Sequence, residues 1–333
     1  MQSSKAPHYR ILFAGEEPKG SSPSLTWAKA VAREGAEYRF VSDLSKIDLP
    51  RWISDIRWAD TIVFQDYDGP SDYVIRQLAL ATVLGRPIVR KWSGTDALRC
   101  TTDTRFQTQA RRLNSIVAVN LTEAEHTREE LAESGIKLKV TPPNLDASPV
   151  LRADEYKPLA LLTYLPSMRP EFYGSRQVRY AAERNPDICF VIVADDTHAL
   201  SDLPNVKSLG WIDDMESIWP QVGGLLRLTE HDGLPRMLLD AMARGKYVLF
   251  SRPMQGTWHV TDNATLDAAL HAFKTAKTIN QQGLEAAQRL LRPDNNRKLL
   301  DNLTDAAIKP GALRQAKALW LSVRLTLKHK IAR

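Results

Sequence analysis

The sequence has little cysteine and no long apolar run, and both features limit the classes of protein to which it can belong. Cys100 and Cys189 are its two cysteines, so neither a disulfide framework nor a cysteine-rich zinc site is expected. No segment approaches the roughly 18 apolar residues of a transmembrane helix, and the first ten residues contain no apolar core for a signal peptide. The seven histidines show no metal-ligand spacing. We therefore expect a cytoplasmic protein without a metal site.

Acidic residues are missing from residues 306–333, and this explains the net charge of +6. The segment holds seven Lys and Arg, so the rest of the chain carries a formal charge of −1. Because the positive charge is confined to the C-terminal segment, the sequence does not indicate a broad surface for nucleic acid.

What the sequence does contain is an ordinary globular composition, with 43% hydrophobic and 25% charged residues among 333. Short apolar runs alternate with helical patterns, which favours parallel sheets covered by helices on both faces. The alternation restarts after a proline-rich stretch that ends near Tyr156. We predict an α/β protein with one domain at 1–150, a second at 151–305 and a basic helix at 306–333.

The segment Leu225–Ser251 predicts a strand, a tight acidic turn, a helix and a second buried strand at Tyr247–Phe250. A helix start at Gly233–Met237 would present unpaired backbone N–H groups, which suit a phosphate-bearing ligand. Asp232 and Asp240 flank this turn, and their carboxylates are candidates to accept hydrogen bonds from sugar hydroxyls. Spacing supports equally well a surface ladder of ion pairs through Asp232, Arg236 and Asp240.

Two runs in this segment resemble the signature of the family 4 retaining glycosyltransferases of the GT-B fold. The runs are Asp232-Gly233-Leu234-Pro235 and Asp240-Ala241-Met242-Ala243-Arg244-Gly245. The family has glutamates eight residues apart where this chain has two aspartates, each one methylene shorter. The resemblance implies that Asp232 contacts the donor sugar in the catalytic step and that Asp240 binds the ribose of the nucleotide.

The same resemblance supplies the remaining donor-side candidates. They are His231, Gly233, Leu234, Pro235, Arg236, Arg169 and Arg176. His231 is equally plausible as a helix cap. Related enzymes place an arginine and a lysine in the loop that corresponds to Leu165–Gly174, where they hold the donor diphosphate. Arg169 matches the arginine, and Tyr173 stands at the lysine position. Arg176 is the candidate for the second positive charge. Each arginine also suits a solvated helix face.

The acceptor-side candidates come from two turns in the first half of the chain. They are Gly15, Gly20, Ser93, Gly94 and Asp96. The run Lys91-Trp92-Ser93-Gly94-Thr95-Asp96 is similar to a Trp-His-Gly-Thr-Asp turn in related enzymes, with serine in place of histidine. An alternative is that Thr95 or Asp96 merely caps the next helix. Gly15 and Gly20 do not have the three-glycine spacing of a dinucleotide site.

Two further patterns each allow two interpretations. The acids at 213, 214 and 216 resemble metal ligands, but a helix cap explains them more economically. In the last helix, an apolar seam recurs at steps of three and four: Leu313, Ala316, Trp320, Val323 and Leu327. A basic amphipathic helix with such a seam either packs back on the N-terminal domain or lies on anionic lipid. We expect the seam to pack and the charges to attract a membrane weakly.

Together the resemblance implies two Rossmann-like, doubly wound domains facing across a cleft. The implied reaction is metal-independent transfer of a hexose from a nucleotide diphosphate sugar, UDP- or GDP-linked, to a saccharide or lipid-linked saccharide, with retention. It implies no cofactor and no nucleic-acid partner. Cell-surface polysaccharide or glycolipid assembly at the inner face of a membrane is the expected setting. The alternatives are a non-catalytic nucleotide-sugar-binding scaffold and a nucleotide-sugar epimerase.

Overall fold

The computed structural model describes residues 8–18, 22–144, 158–305 and 310–331, with side chains described as far as residue 327. Gly20 lies outside the described residues, so its predicted role has no structural counterpart here. The chain divides into two compact units, one formed by Met1–Ala147 with Pro293–Arg333 and the other by Ser148–Arg292.

The strands and helices alternate along both units. The strands are β1 Arg10–Ala14, β2 Glu37–Val41, β3 Thr61–Phe64, β4 Ile88–Trp92, β5 Val119–Thr122, β6 Lys139–Val140, β7 Ala160–Tyr164, β8 Cys189–Val193, β9 Val206–Ser208, β10 Gly224–Arg227, β11 Tyr247–Phe250 and β12 Trp258–His259. The helices are α1 Pro23–Arg33, α2 Leu49–Trp58, α3 Asp72–Val83, α4 Gly94–Thr102, α5 Thr104–Asn114, α6 Glu125–Glu133, α7 Ser175–Arg184, α8 Arg236–Ala243, α9 Asn263–Thr275, α10 Gln281–Leu290, α11 Asn295–Asp305 and α12 Ala312–Ile331. The strand predicted at Tyr247–Phe250 is confirmed as β11.

Each unit contains one parallel sheet, six-stranded within the described residues. The first sheet has the order β2-β1-β3-β4-β5-β6, and the second has the order β12-β11-β10-β7-β8-β9. The predicted α/β class with doubly wound parallel sheets is therefore confirmed.

The central strands of the first sheet are buried on both faces because helices cover both sides. Side chains alternate across a strand, so Leu12 and Ile62 enter a cluster with α2, α3 and α12. Ile11, Phe13 and Val63 enter a second cluster with α1 and α11. Such continuous burial is why these strands are apolar runs rather than alternating ones.

The chain returns to the first unit at Pro293, earlier than the predicted boundary after residue 305. Leu299 and Leu303 of α11 are buried against α1. The side-chain amide of Asn295 donates to the carbonyl of Pro143 at 2.9 Å, and Asn302 donates to the Thr141 hydroxyl at 3.1 Å. Two amide side chains thus attach α11 to the end of the first sheet, and a sequence-based boundary had no signal for these long-range contacts.

The last helix, α12, packs against α3, but through a different face from the one that its sequence suggests. Ala318, Leu321 and Leu325 are buried in the core cluster shared with α3. The predicted apolar seam points the other way, and its members Trp320 and Leu327 are exposed. The expectation that the seam packs on the first unit is therefore wrong, because small and aliphatic residues between the seam positions form the contact instead.

The order of strands reverses once within each sheet. In the first sheet the reversal falls between β1 and β3, and in the second it falls between β7 and β10. At such a switch point the loops at the carboxyl ends of the two strands leave in opposite directions and open a crevice in which ligands bind. These two places are where the functional residues are sought.

Candidate functional site

The switch point of the second sheet is formed by the loop after β7 and the loop after β10. Gly174 adopts a φ of +85°, and a Cβ there would lie 2.6 Å from the carbonyl oxygen of Leu228. The amide of Glu230 donates to the carbonyl of Phe172 at 2.9 Å. Only glycine permits both this backbone conformation and this close approach. The two loops are therefore held together by backbone contacts at the carboxyl edge.

Asp232 is held in the second of these loops by Arg227, the last residue of β10. The Arg227 Nε and Nη2 atoms donate to Asp232 Oδ2 at 2.9 and 2.6 Å, and the Thr229 hydroxyl donates to the same oxygen at 3.3 Å. Both charged side chains are mostly buried, with 11% of Arg227 and 18% of Asp232 exposed. The other oxygen, Oδ1, accepts from the amide of Gly233 at 3.1 Å. The carboxylate is thus fixed in one orientation.

Arg227 also lies beside the tyrosine that stands at the expected lysine position. Its guanidinium lies 5.3 Å from the ring centroid of Tyr164 and 5.3 Å from that of Tyr173. The two rings meet edge to face at 5.3 Å. A cation from the neighbouring strand therefore occupies the surroundings of Tyr173, stabilised by both ring faces. Sequence reasoning missed Arg227; the available signal was a single charged residue closing an otherwise apolar strand.

The helix that follows this loop, α8, begins at Arg236. Pro235 is the residue that precedes α8 rather than its first residue, and Gly233 and Leu234 lie in the loop. Pro235 still accepts the first helical hydrogen bonds, from Leu238 at 3.1 Å and Leu239 at 3.3 Å. The amino end of α8 therefore begins beside Asp232, where a helix dipole favours an anion.

Asp240 has a different set of partners from Asp232. It lies in the second turn of α8, 3.5 Å from Nη1 of Arg244, and Arg244 also pairs with Glu216. Burial raises the pKa of Asp240, while Arg244 opposes the rise. Arg236 also lowers the pKa of Asp240, so it is electrostatically close. Asp232 bonds to Arg227 and Thr229, whereas Asp240 pairs with Arg244, four residues further along α8.

The two arginines predicted to hold a diphosphate are both exposed at the first loop of this switch point. The Arg169 guanidinium lies 3.9 Å from the ring centroid of Phe172, which fixes the side chain above the loop. Arg176 pairs with Glu171 on the exposed side of α7, with 81% of its side chain accessible. The surface interpretation thus describes Arg176, whereas Arg169 is stacked in the loop itself. His231, beside Asp232, is buried.

A chain of hydrogen bonds crosses the switch point of the first sheet. Glu16, after β1, accepts from the Tyr67 hydroxyl and from the amide of Ser24, both at 2.9 Å. Gln65, after β3, donates to the Tyr67 oxygen at 3.0 Å and to the Ser93 hydroxyl at 3.2 Å. Burial raises the pKa of Tyr67, and the charge of Glu16 adds to the rise. Sequence reasoning named Ser93 here but missed Glu16, Gln65 and Tyr67.

Gly15 has a role in this switch point that matches the role of Gly174 in the other. Its φ is +96°, and a Cβ would lie 2.2 Å from the carbonyl oxygen of Gln65. The amide of Gln65 donates to the Ala14 carbonyl at 3.0 Å. Gly15 therefore brings the loop after β1 against the loop after β3, which places Glu16 and Gln65 in the same hydrogen-bonded chain.

Asp96 acts as a helix cap, as the alternative interpretation of this turn proposed. The amide and hydroxyl of Ser93 donate to Asp96 Oδ1 at 2.7 and 3.0 Å, and Gly94 begins α4. Asp96 is 0% exposed, so its carboxylate is not available to contact an acceptor in this structure. Burial raises the pKa of Asp96 to about 6, against the lowering effect of Arg90. Arg90 is itself fully buried, and its pKa is lowered to about 10 by burial.

Other acidic residues cap turns instead of assembling around an ion. Asp214 accepts from the amide of Glu216 at 3.0 Å, and the predicted helix is two short 3-10 turns at Met215–Ser217 and Trp219–Gln221. Within the described part of the chain, no group of three or more His, Cys, Asp or Glu is arranged to hold a metal ion. None of the described helices has the length and apolar character needed to cross a bilayer.

No protein-family profile and no curated protein sequence matches the chain. Solved structures do match. HepE from Anabaena, crystallised with UDP-glucose, aligns with a TM-score of 0.69 at 14% identity over 90% of this chain and 100% of its own. Sucrose-phosphate synthase from Thermosynechococcus elongatus aligns with a TM-score of 0.65 at 11% identity over 90% of this chain and 98% of its own.

A third match covers a smaller share of both chains. The pneumococcal O-GlcNAc transferase GtfA, crystallised with UDP and GlcNAc, aligns with a TM-score of 0.54 at 10% identity over 75% of this chain and 57% of its own. At these identities the comparison concerns the fold. With its two six-stranded parallel sheets, the chain has the GT-B fold of glycosyltransferases.

Proposed function

We propose that this protein is a glycosyltransferase that transfers a hexose from a UDP-linked sugar to a hydroxyl of a saccharide acceptor. The observation that carries the proposal is the carboxyl edge of the second sheet. There Arg227 fixes Asp232 at the amino end of α8, and Arg169 stands over the adjoining loop. Similar structures contain UDP-glucose and UDP, which favours UDP over GDP. GDP-linked donors are the alternative to be tested.

In this proposal the amino end of α8 and Arg169 bind the diphosphate. Both provide positive potential, from backbone dipoles and from a guanidinium held by Phe172. Asp240 accepts hydrogen bonds from the ribose hydroxyls, since its side chain is 36% exposed and already bonded by Arg244. Asp232, oriented by Arg227, accepts hydrogen bonds from the donor sugar.

The proposed chemistry is substitution on one face of the anomeric carbon, with retention. The bond between C1 and the diphosphate oxygen breaks, and the acceptor oxygen forms its bond to C1 on the same face. The acceptor proton passes to the departing phosphate oxygen, so no protein base is required. Arg169 and the start of α8 stabilise the charge that develops on the diphosphate, where fixed charges act most strongly. The proposal includes no metal ion.

The acceptor contacts are proposed at the carboxyl edge of the first sheet. The half-buried Tyr67 and Ser93 offer hydroxyl groups there that suit sugar hydroxyls, and the buried carboxylate of Glu16 holds Tyr67 from behind. Gly94 and Gly15 shape the turns that carry these residues. Asp96 supports the turn from within the core instead of touching the acceptor. A role in polysaccharide or glycolipid assembly belongs to the proposal as its expected biological setting.

The first experiment is a thermal-shift screen of the purified chain with UDP, GDP, ADP, dTDP and their common sugars, with and without EDTA. A ligand at 100 times its Kd adds about 2.7 kcal/mol of apparent stability. We expect a shift with UDP that persists in EDTA. No shift with any nucleotide would overturn the donor assignment and favour the scaffold alternative, and an altered free sugar nucleotide would identify an epimerase.

Substitution of Asp240 tests the ribose contact directly. Asp240→Ala removes hydrogen bonds to a charged acceptor, so we expect UDP affinity to fall roughly 10- to 100-fold. Titration calorimetry with UDP measures this loss. Asp187→Ala is the matched control, because Asp187 is an exposed acid at the amino end of β8, on the opposite edge of the same sheet. Equal UDP binding by Asp240→Ala and wild type would contradict the assignment.

A further inference from the structure

We propose that the outward face of α12 is a docking surface for an anionic lipid membrane. The face, called here the α12 stripe, consists of Leu313, Ala316, Trp320, Val323 and Leu327. The proposal rests on this surface alone and does not depend on the transfer reaction. The sequence led us to expect that these residues pack internally and that only the charges of the helix attract a membrane; here the apolar residues themselves form the docking surface.

The α12 stripe is exposed because the helix packs through its opposite side. Its four large members are between 50 and 72% exposed, whereas Ala318, Leu321 and Leu325 are at most 3% exposed against α3. The stripe runs through four turns, or about 20 Å along the helix axis. Single exposed apolar residues are ordinary, but a contiguous row that includes a tryptophan marks an interaction surface.

The charges around the α12 stripe select the kind of partner. Lys317 and Arg324 are exposed and follow each other along one border of the stripe, at helical spacing of seven residues. The Arg324 guanidinium lies 5.0 Å from the ring centroid of Trp320. Residues 306–333 contain seven Lys and Arg and no acid. An apolar stripe with cations along one border, in a segment that contains no acid, is complementary to anionic lipid headgroups over an acyl layer.

The geometry places α12 parallel to the membrane surface. A helix that keeps one face in the core of the first unit can bury only its outer face in the headgroup region. Trp320 then lies at the interface, where its amphipathic ring is favoured, and the cations reach the phosphates beside it. A second copy of the chain is the competing occupant of an apolar stripe, but two such stripes would bring together segments that each carry a charge of +7.

The test is co-sedimentation of the full chain with vesicles. We expect binding to phosphatidylcholine vesicles that contain roughly one third phosphatidylglycerol, weakened by salt, and little binding to pure phosphatidylcholine. Trp320→Ser with Leu327→Ser removes the central tryptophan and the last leucine of the stripe and should abolish sedimentation. The matched control is Trp211→Ser with Leu49→Ser, because those residues are 62 and 51% exposed, against 60 and 54% for the test pair.

A variant that lacks two cations measures the electrostatic contribution to membrane binding. Lys317→Gln with Arg324→Gln should weaken binding to the anionic vesicles about 25-fold, since each cation near such a surface contributes about fivefold. Circular dichroism and thermal unfolding show whether each variant keeps its fold, which is expected because all four side chains are exposed.

Three outcomes would overturn the proposal. One is absence of wild-type binding to the anionic vesicles. Another is sedimentation of the Trp320→Ser/Leu327→Ser variant to the same extent as its control. The third is a stable dimer in sedimentation velocity that this variant dissociates, which would assign the stripe to a second copy. UDP binding is measured separately by calorimetry. A negative vesicle experiment therefore does not contradict the proposed donor site, and a negative UDP experiment does not contradict the proposed membrane surface.

Discussion

The carboxyl edges of the two sheets solve the same geometric problem with different chemistry. In both, a glycine with positive φ presses one loop against a carbonyl oxygen of the other, Gly15 against Gln65 and Gly174 against Leu228. The first edge then carries a chain of hydroxyl, amide and carboxyl groups, whereas the second carries a guanidinium between two tyrosine rings. Under the proposed function, the first edge receives the hydroxyls of the acceptor and the second receives the nucleotide sugar.

This difference shows how a fold and its chemistry are separated. The backbone contacts fix where the loops meet, and the residues that end the neighbouring strands decide what is bound there. In the second sheet the decisive residue is Arg227, which ends β10. In the first sheet the corresponding groups are Glu16 and Gln65, which follow β1 and β3.

The largest effect is expected from substitutions of the two glycines that bring the loops together in each sheet. Gly15→Ala and Gly174→Ala place a Cβ 2.2 and 2.6 Å from backbone oxygen atoms, so each should cost about 4 kcal/mol of unfolding free energy. Chemical denaturation measures the loss. Gly35→Ala is the control: its φ of +89° is equally unfavourable, but nothing lies within 4 Å. We expect it to cost about 1 kcal/mol. Equal losses in all three would show that contact between the loops is not the constraint.

The next effect is specific to the second edge. Arg227→Met removes the partner of a mostly buried carboxylate and the cation between Tyr164 and Tyr173, so transfer should fall by roughly 100- to 1,000-fold. Steady-state transfer from the UDP-linked sugar is the measurement. Arg176→Met is the control, since Arg176 pairs with Glu171 on an exposed surface. Similar activity in both variants would mean that Arg227 is not needed to hold Asp232.

A pH dependence is expected from the first edge. The pKa of Asp96 is raised to about 6 from 3.8, so the folded state binds this proton more tightly than the unfolded state does. Stability due to this group is therefore highest below about pH 4, falls as the pH rises to about 6, and is constant above that. The total change is about 3 kcal/mol.

The comparison of wild type with Asp96→Asn isolates this group, because asparagine does not titrate. The difference in unfolding free energy between the two proteins should fall by about that amount across the same interval. Denaturant unfolding at several pH values provides it. A difference that is independent of pH would show that the buried carboxyl group keeps its ordinary pKa.

The smallest effect tests whether the first edge binds the acceptor while the second edge binds UDP. Glu16→Gln removes the negative charge from the hydroxyl-binding chain, so we expect the KM for the acceptor to rise about tenfold with UDP affinity unchanged. Initial-rate kinetics with varied acceptor, together with UDP calorimetry, separate the two. Glu37→Gln, at the amino edge of the same sheet, should change neither. A change in UDP affinity instead of acceptor KM would exchange the roles assigned to the two edges.

Sequence alone predicted the α/β class and the strand at Tyr247–Phe250, because continuous apolar runs, turn glycines and helical spacing are local properties. Spacing brought Asp232 and Asp240 forward as candidates, and the resemblance to family 4 glycosyltransferases added Arg169 and Ser93. The sequence also offered the alternative in which Asp96 caps a helix, which is the contact that the structure contains.

Only the tertiary structure decided the contacts that join distant segments. Arg227 meets Tyr164 and Tyr173 across more than fifty residues of chain because β7 and β10 are neighbours in the sheet. The attachment of α11 to the first unit depends on hydrogen bonds from asparagine side chains to Pro143 and Thr141, which no local pattern predicts. For α12, periodicity correctly located an apolar seam, but which face of a helix meets the core depends on the surface it packs against. Ala318, Leu321 and Leu325 pack against α3, and the seam is left exposed.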